Sequence, residues 1–286
     1  MPHLSARAAP SASGWIGERL ARFLAAPVHA HGSAPATRSD RLQACLQPGD
    51  VLLVEGHSRI STAVKYLTQS TWSHAALYVG PQALERTGAP RDHGFVEADI
   101  TDGVRTVGVA AFEGFHTRIC RPIGLDADDL ETLSAYAVSR LGHRYDLRNV
   151  FDLARYLLPT PPVPQRFRRR MLSLGSGDPT RAICSTLIAL AFETIDYPIL
   201  PQVHTLNRDA PDCPGCTEEL LRLRHHSLYA PRDFDVSPYF AVVKPTLETG
   251  FDFHALAWAS TATLELASAA QRPSAASKSG CTISIQ

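Results

Sequence analysis

One cysteine of this chain lies where backbone geometry favours a reactive thiolate. Cys184 falls near the start of a helix predicted over residues 179–196, which begins with a proline after an aspartate. The free N–H groups and positive dipole end at a helix start stabilise a thiolate, the nucleophilic form of cysteine. Cys184 also shares an apolar helical face with Leu187 and Ile188, so a buried structural cysteine is the competing interpretation.

A histidine and a glutamate on two successive predicted strands are suited to assist such a thiol. His74 stands at the start of a strand, and its near-neutral pKa suits proton transfer. Glu97 interrupts the next apolar strand, with Val96 and Ala98 pointing to the other face. Because adjacent antiparallel strands lie about 5 Å apart, the carboxylate can orient the imidazole and stabilise its cation. Each residue alone also fits an ordinary structural role.

The elements around these residues indicate an α+β protein with an antiparallel sheet. Short apolar segments separated by turn residues predict strands, and Asp102-Gly103 between two of them is a hairpin signal. Segments with apolar residues on one helical face predict helices, and residues 203–227 read as polar and irregular. The predicted strands are 51–54, 75–79, 94–100, 103–110, 117–122 and 239–244, and the predicted helices are 59–69, 126–140, 147–158 and 179–196.

The order along the chain predicts one domain between two tails. Residues 42–250 form the domain, preceded by an Ala/Ser/Pro-rich tail over 1–41 and followed by a tail over 251–286 that we expect to be disordered. The N-terminal tail contains an amphipathic helix at 14–28, interpreted either as docked on the domain or as resting on a membrane surface.

Composition narrows the classes of partner and compartment. The chain has 286 residues with 28 Lys+Arg and 28 Asp+Glu, so no net field attracts nucleic acid. Its six cysteines do not form a dense disulfide framework, and we expect reduced thiols and a cytoplasmic protein, peripheral to the membrane if residues 14–28 bind lipid. Charged residues interrupt 14–28, which argues against a signal peptide, and no run of about 18 apolar residues predicts a membrane span.

Several short motifs, taken in order, resemble one enzyme family. They run from about residue 46 to residue 244 and are 48–53 (PGDVLL), 73–80 (SHAALYVG), 96–98 (VEA), 142 with 145–146 (G and YD), 183–188 (ICSTLI), 229–234 (YAPRDF) and 237–238 (SP). Together they are similar to the YiiX/YebB-like cysteine hydrolases, the permuted branch of the NlpC-type, papain-like superfamily. In that branch the histidine precedes the cysteine, as it does here.

The resemblance implies a circularly permuted papain-like fold, in which an antiparallel sheet packs against the helix that carries the catalytic cysteine. It aligns Cys184 with the nucleophile, His74 with the base and Glu97 with the polar third member. The implied activity is that of a thiol hydrolase, amidase- or peptidase-like, which acts through an acyl-enzyme on a small peptide, amide or acyl substrate without a cofactor. Tyr78 lies on the same strand face as His74 and either lines the site or packs in the core.

Three alternatives remain open at this stage. The same layout is similar to membrane-associated lipid acyltransferases and esterases, for which the 14–28 helix would provide contact with lipid. The chain is alternatively a non-catalytic binding module that keeps the fold. Finally, Cys213 and Cys216 form a C-x-x-C knuckle followed by His225 and His226, which indicates a zinc site, a disulfide or a pair of free thiols.

Overall fold

A computed structural model describes residues 23, 25–26, 37–143, 183–210, 213–248 and 250–255. The chain divides into two units, Met1–Thr249 and Gly250–Gln286. The described part of the second unit contains a single turn of 3₁₀ helix, Phe253–Ala255. All other elements belong to the first unit.

The first unit combines strands with mostly short helices. The strands are β1 (Val51–Val54), β2 (His74–Tyr78), β3 (His93–Asp99), β4 (Gly103–Gly108), β5 (Thr117–Pro122), β6 (Gln202–Ala210), β7 (Cys213–Arg222) and β8 (Phe240–Val243). The α-helices are α1 (Ser39–Cys45), α2 (Arg59–Thr68), α3 (Pro81–Leu84), α4 (Ala127–Ser139), α5 (Ile183–Glu193), α6 (Pro231–Asp235) and α7 (Pro245–Glu248).

Six strands form one antiparallel sheet in the order β4-β3-β2-β1-β5-β8. The hairpin predicted at Asp102-Gly103 is confirmed: Asp99 pairs with Gly103, and Gly103 has a φ of 78°. Glycine reaches this left-handed conformation without strain, so its position determines where β3 turns into β4. The predicted antiparallel sheet packed against helices is therefore present.

Alternation along the strands gives the sheet two buried faces. In β1, Val51 and Leu53 belong to one apolar cluster, whereas Leu52 and Val54 belong to another. Successive side chains of a strand point to opposite faces, so the two clusters lie on opposite sides of the sheet. The first cluster contains residues of α4 and α5, and α5 packs against β2 and β3.

Side-chain caps explain where two of the predicted helices begin. The Ser58 hydroxyl accepts a hydrogen bond from the Ser61 N–H at 3.1 Å at the start of α2. Asp126 and Asp129 form a reciprocal capping box at the start of α4. Both helices fall within the predicted ranges 59–69 and 126–140. Helix α5 falls within the predicted 179–196, whereas the predicted helix at 147–158 lies outside the described residues.

The interpretation of residues 203–227 as irregular was wrong. Most of the segment forms a two-stranded antiparallel sheet, in which β6 pairs with β7 from Gln202 opposite Arg222 to Ala210 opposite Cys213. Its charged and polar residues hide the alternation typical of a strand, and Pro214-Gly215 reads as a turn. The segment nevertheless forms strands, because β6 and β7 satisfy each other's backbone hydrogen bonds.

A short stretch of the predicted N-terminal helix can be placed. The Arg59 guanidinium lies 4.2 Å from the centre of the Phe23 ring and donates to the Phe23 carbonyl oxygen at 3.1 Å, so this stretch contacts the start of α2. The rest of 14–28, and the tail from residue 256 onward, fall outside the described ranges. Within those ranges, no helix has the length and apolar character needed to cross a membrane.

Candidate functional site

Cys184 is held on the sheet by the apolar face of α5. It is 5% exposed, and it belongs to the same cluster as Leu187 and Ile188 from α5 and Ala75 from β2. The backbone N–H of Ala75 lowers the pKa of the Cys184 thiol, which indicates that it lies near the sulfur. Core packing alone would account for a cysteine at this position. The same packing also places the Cys184 sulfur beside the first residues of β2.

His74 is the first residue of β2, next to that sulfur. Its backbone position is fixed by pairing with Val54 and by the preceding Ser73, whose buried hydroxyl accepts the Gly56 N–H at 2.9 Å. The imidazole is 26% exposed, and its Nε2 lies 2.8 Å from Glu97 Oε2. Cys184 lies close enough to the ring for each group to shift the pKa of the other. The ring therefore lies near both the sulfur and the carboxylate.

Glu97 completes the chain of contacts from inside β3. It is 5% exposed and is held from its other side by Arg105, its direct partner on β4. Arg105 donates to Glu97 Oε1 from Nε at 3.0 Å, and a terminal nitrogen of the same guanidinium lies 2.9 Å from that oxygen. Arg105 also bonds Asp102 and lies 3.7 Å from Asp99. The carboxylate is therefore fixed between two cationic partners.

The charged forms of Cys184, His74 and Glu97 stabilise one another. Burial opposes the charged form of each group, but the interactions among them outweigh it. The negative Cys184 and Glu97 raise the pKa of His74 well above its usual value. His74, with Arg105, holds the pKa of Glu97 below its usual value, and His74 lowers the pKa of the Cys184 thiol. The arrangement favours a thiolate beside an imidazolium.

Such a pair is a preformed nucleophile and proton donor. The thiolate can attack a carbonyl carbon, and the imidazolium can protonate the group that leaves. The Glu97 carboxylate holds the ring in one orientation and stabilises its positive charge. The structure thus brings together Cys184, His74 and Glu97, the three residues singled out from the sequence.

Tyr78 lies elsewhere. It is 6% exposed and belongs to the cluster on the sheet face opposite the Cys184 cluster, with its ring edge-on to Phe95 at 4.9 Å. Its ring also fills the space where a side chain on Gly94 would lie, 2.5 Å from an added Cβ. Of the two interpretations of Tyr78, packing in the core fits this position.

The structure places the backbone of the C-x-x-C knuckle in β7, where Cys213 and Cys216 pair with Ala210 and Arg208. The side chains of both cysteines lie outside the described part, and zinc binding there stays a prediction. His226 Nδ1 lies 3.1 Å from a Glu193 carboxylate oxygen. Among the residues whose side chains are described, no group of three or more His, Cys, Asp or Glu is arranged to hold a metal ion.

Sequence reasoning missed Arg105. The signal was available, because the hairpin turn at Asp102-Gly103 determines which residues of β3 and β4 face each other. With Asp99 opposite Gly103, the residue opposite Glu97 must be Arg105. An opposite-charge pair directly across a hairpin stabilises both side chains.

Comparison with known proteins adds little to this geometry. Neither a scan against protein-family models nor a search of curated proteins finds a match. Among solved structures, the chain is similar to a crystal structure from Escherichia coli O157:H7 described as the metalloprotein YiiX. The two chains are 16% identical, and the match covers 69% of this chain and 96% of that one with a TM-score of 0.40. A likeness at this level carries no conclusion about activity.

Proposed function

We propose that this chain is a cysteine hydrolase with a circularly permuted papain-like fold, acting on amide or other acyl bonds of small peptide or acyl substrates. Cys184 is the nucleophile, His74 the general acid and base, and Glu97 the residue that orients His74. The observation that carries the proposal is the His74 ring, which is hydrogen-bonded to the Glu97 carboxylate at 2.8 Å and lies close enough to Cys184 for each group to favour the charged form of the other.

In the first half of the reaction, the Cys184 thiolate attacks the substrate carbonyl carbon and the carbonyl oxygen becomes negative. The backbone N–H of Cys184 is suited to hold that oxyanion. His74 then gives its proton to the leaving amine or alcohol, and the bond to the leaving group breaks. An acyl-thioester on Cys184 remains.

In the second half, His74 takes a proton from a water molecule, and the resulting hydroxide attacks the thioester carbonyl. The acid product leaves, and the sulfur departs as a thiolate beside the protonated ring, which restores the starting state. Glu97 stabilises the imidazolium each time it forms and needs no change of its own protonation state.

A second buried cysteine shows that burial alone does not produce a reactive thiol. Cys120 is fully buried on β5, and burial, together with nearby Asp235, raises its pKa to about 12. Cys184 is nearly as buried, yet its pKa is lowered, because burial is outweighed by His74 and by the Ala75 N–H. The contrast supports a specific role for Cys184.

Labelling with a thiol-reactive acyl probe tests the proposal. At near-neutral pH we expect rapid modification of Cys184, none in Cys184→Ala, and a reduction of about 100-fold or more in His74→Ala. Cys120→Ala is the matched control and should label as the wild type does, because that thiol is protonated. Equal labelling of all six cysteines, or undiminished labelling of His74→Ala, would remove the basis for a tuned nucleophile.

A further inference from the structure

A second polar site lies beside the proposed catalytic residues. A surface cavity of about 260 Å³ is lined by residues from the loop before β2, the start of β5 and helix α6. We call it the Arg232 cavity. The residues that matter for its chemistry are Trp72, His116, Arg118, Arg232 and Asp235. None of them belongs to the proposed triad.

The sheet register places this cavity close to Cys184 and on the same face. Leu53 pairs with Ala75 on one side and with Arg118 on the other. Directly opposed residues of antiparallel strands point to the same face, so Arg118 shares the face of Ala75, which belongs to the same buried cluster as Cys184. Two strand spacings separate Ala75 from Arg118, which gives a distance of about 10 Å.

Two of the charges in the cavity balance each other. The Asp235 carboxylate accepts a hydrogen bond from Arg118 at 2.6 Å and another from the Trp72 indole N–H at 2.9 Å. The Arg118 guanidinium also lies 5.0 Å from the centre of the Trp72 ring. Arg118 and Asp235 therefore contribute no net charge and form a rigid polar wall.

The charges of the side chains behind this wall also cancel. His116 packs its ring against Trp72 at 5.0 Å, and its Nδ1 lies 3.3 Å from Glu55. The Glu55 carboxylate is in turn 3.3 Å from Lys65. The negative charge of Glu55 is thus matched by Lys65 and does not cancel other cations of the cavity.

Arg232 is left as the cation without a close carboxylate partner, because the neighbouring Asp233 is paired with Arg224 at 3.4 Å. One of its terminal nitrogens donates to the Thr68 carbonyl oxygen at 2.8 Å, which anchors the side chain at the cavity. Within the described ranges, the guanidinium makes no ion pair with a carboxylate at 4.0 Å or less. An anchored guanidinium with donors to spare is a ready partner for an oxyanion.

We propose that the Arg232 cavity, whose Arg118 wall lies two strand spacings or about 10 Å from Ala75, binds a carboxylate group of the substrate whose acyl carbon Cys184 attacks. This inference rests on the proposed function and deepens it by defining the substrate class as acyl compounds with a distal carboxylate. A carboxylate fits better than a phosphate dianion, because the cavity holds one unbalanced positive charge and the Asp235 carboxylate forms part of its wall.

Equilibrium binding to Cys184→Ala protein tests the cavity without any reaction. The probes are a linear dicarboxylic acid monoamide whose two carbonyl carbons lie about 10 Å apart when extended, and the diamide of the same length. We expect the carboxylate probe to bind about tenfold more tightly, through a charge-assisted hydrogen bond. The preference should disappear in Arg232→Gln and persist in Arg232→Lys.

Arg86→Gln is the matched control, since Arg86 is exposed on the turn that follows the far end of β2. It should bind both probes as the parent does. Equal affinity of the two probes, or a preference that survives Arg232→Gln in folded protein, overturns the proposal. Tighter binding of an ω-phosphonate of the same length, by more than tenfold, overturns the choice of a carboxylate.

The rate of Cys184 labelling distinguishes a failure of this proposal from a failure of the proposed function. A thioester probe with a distal carboxylate should label wild-type Cys184 faster than its carboxamide counterpart. If the binding preference is present but neither thioester labels Cys184, the hydrolase proposal fails and the carboxylate site stands. If both label Cys184 at equal rates and bind equally, the carboxylate site fails and the hydrolase proposal stands.

Discussion

Replacing Glu97 with glutamine removes one negative charge beside the imidazole and hardly changes the size of the side chain. In the native site Oε2 lies 2.8 Å from His74 Nε2, and Oε1 accepts from Arg105. Arg105 also contacts Asp102 and Asp99, so its guanidinium keeps carboxylate partners in the variant. Glu97→Gln therefore tests the charge on Glu97 more than the integrity of the hairpin.

The size of the effect follows from Coulomb's law. Two unit charges whose centres lie about 4 Å apart interact by about 4 kcal/mol at an effective dielectric constant of about 20. This is the upper limit of what the Glu97 charge contributes to holding the proton on His74, so losing the charge lowers the pKa of His74. Because the ring is 26% exposed, solvent screens part of this interaction. We expect the pKa of His74 to fall toward its ordinary value.

The pKa of the Cys184 thiol shifts in the opposite direction to that of His74. The pKa of Cys184 is lowered, against burial, by the positive ring beside it. A ring that holds its proton less tightly stabilises the thiolate less, so the pKa of the thiol moves up toward its ordinary value. Near neutral pH, labelling should slow by about 10- to 100-fold. In a profile of alkylation rate against pH, the midpoint for Cys184 should move to higher pH.

Glu113→Gln provides the matched control, because Glu113 is exposed and makes no contact with the site. Its profile should coincide with that of the wild type. If the Glu97→Gln profile also coincided with the wild-type profile, while the variant remained folded, the carboxylate would have no part in activating the thiol.

Three further predictions use the same contacts and one buried ion pair. Arg105→Gln should raise the pKa of Glu97 and slow labelling of Cys184 by roughly tenfold, with most of the rate restored in Arg105→Lys. Arg121→Ala should lower the free energy of unfolding by about 3–5 kcal/mol in urea titrations, because it leaves the fully buried Asp50 carboxylate without its partner. The pKa of Glu97 lies below its usual 4.5. The ionised carboxylate therefore stabilises the fold above pH 4.5, and this stabilisation is lost as the pH falls through the lowered pKa. The difference in free energy of unfolding between wild type and Glu97→Gln should become smaller over that acidic range.

Much of the sheet and the three proposed catalytic residues could be predicted because local patterns determine them. Apolar segments between turn residues located β1 to β5, and the glycine after Asp102 located the hairpin that places Arg105 opposite Glu97. Helix caps at Ser58 and Asp126 are equally local signals. The β6–β7 pair was missed, because polar strands carry little periodicity and Pro214-Gly215, which lies within β7, is typical of a turn.

The Arg232 cavity depends on contacts that no local pattern encodes. Trp72 and Asp235 are joined by a hydrogen bond although 163 positions separate them in the chain, and Arg118 reaches the same carboxylate from 117 positions away. Each residue alone reads as an ordinary surface or core side chain. Only the order β2-β1-β5, with α6 lying against β1 and β8, brings them to one face. The proposed nucleophile can thus be identified from short motifs, whereas the groups proposed to select its substrate come together only when the strands are placed side by side.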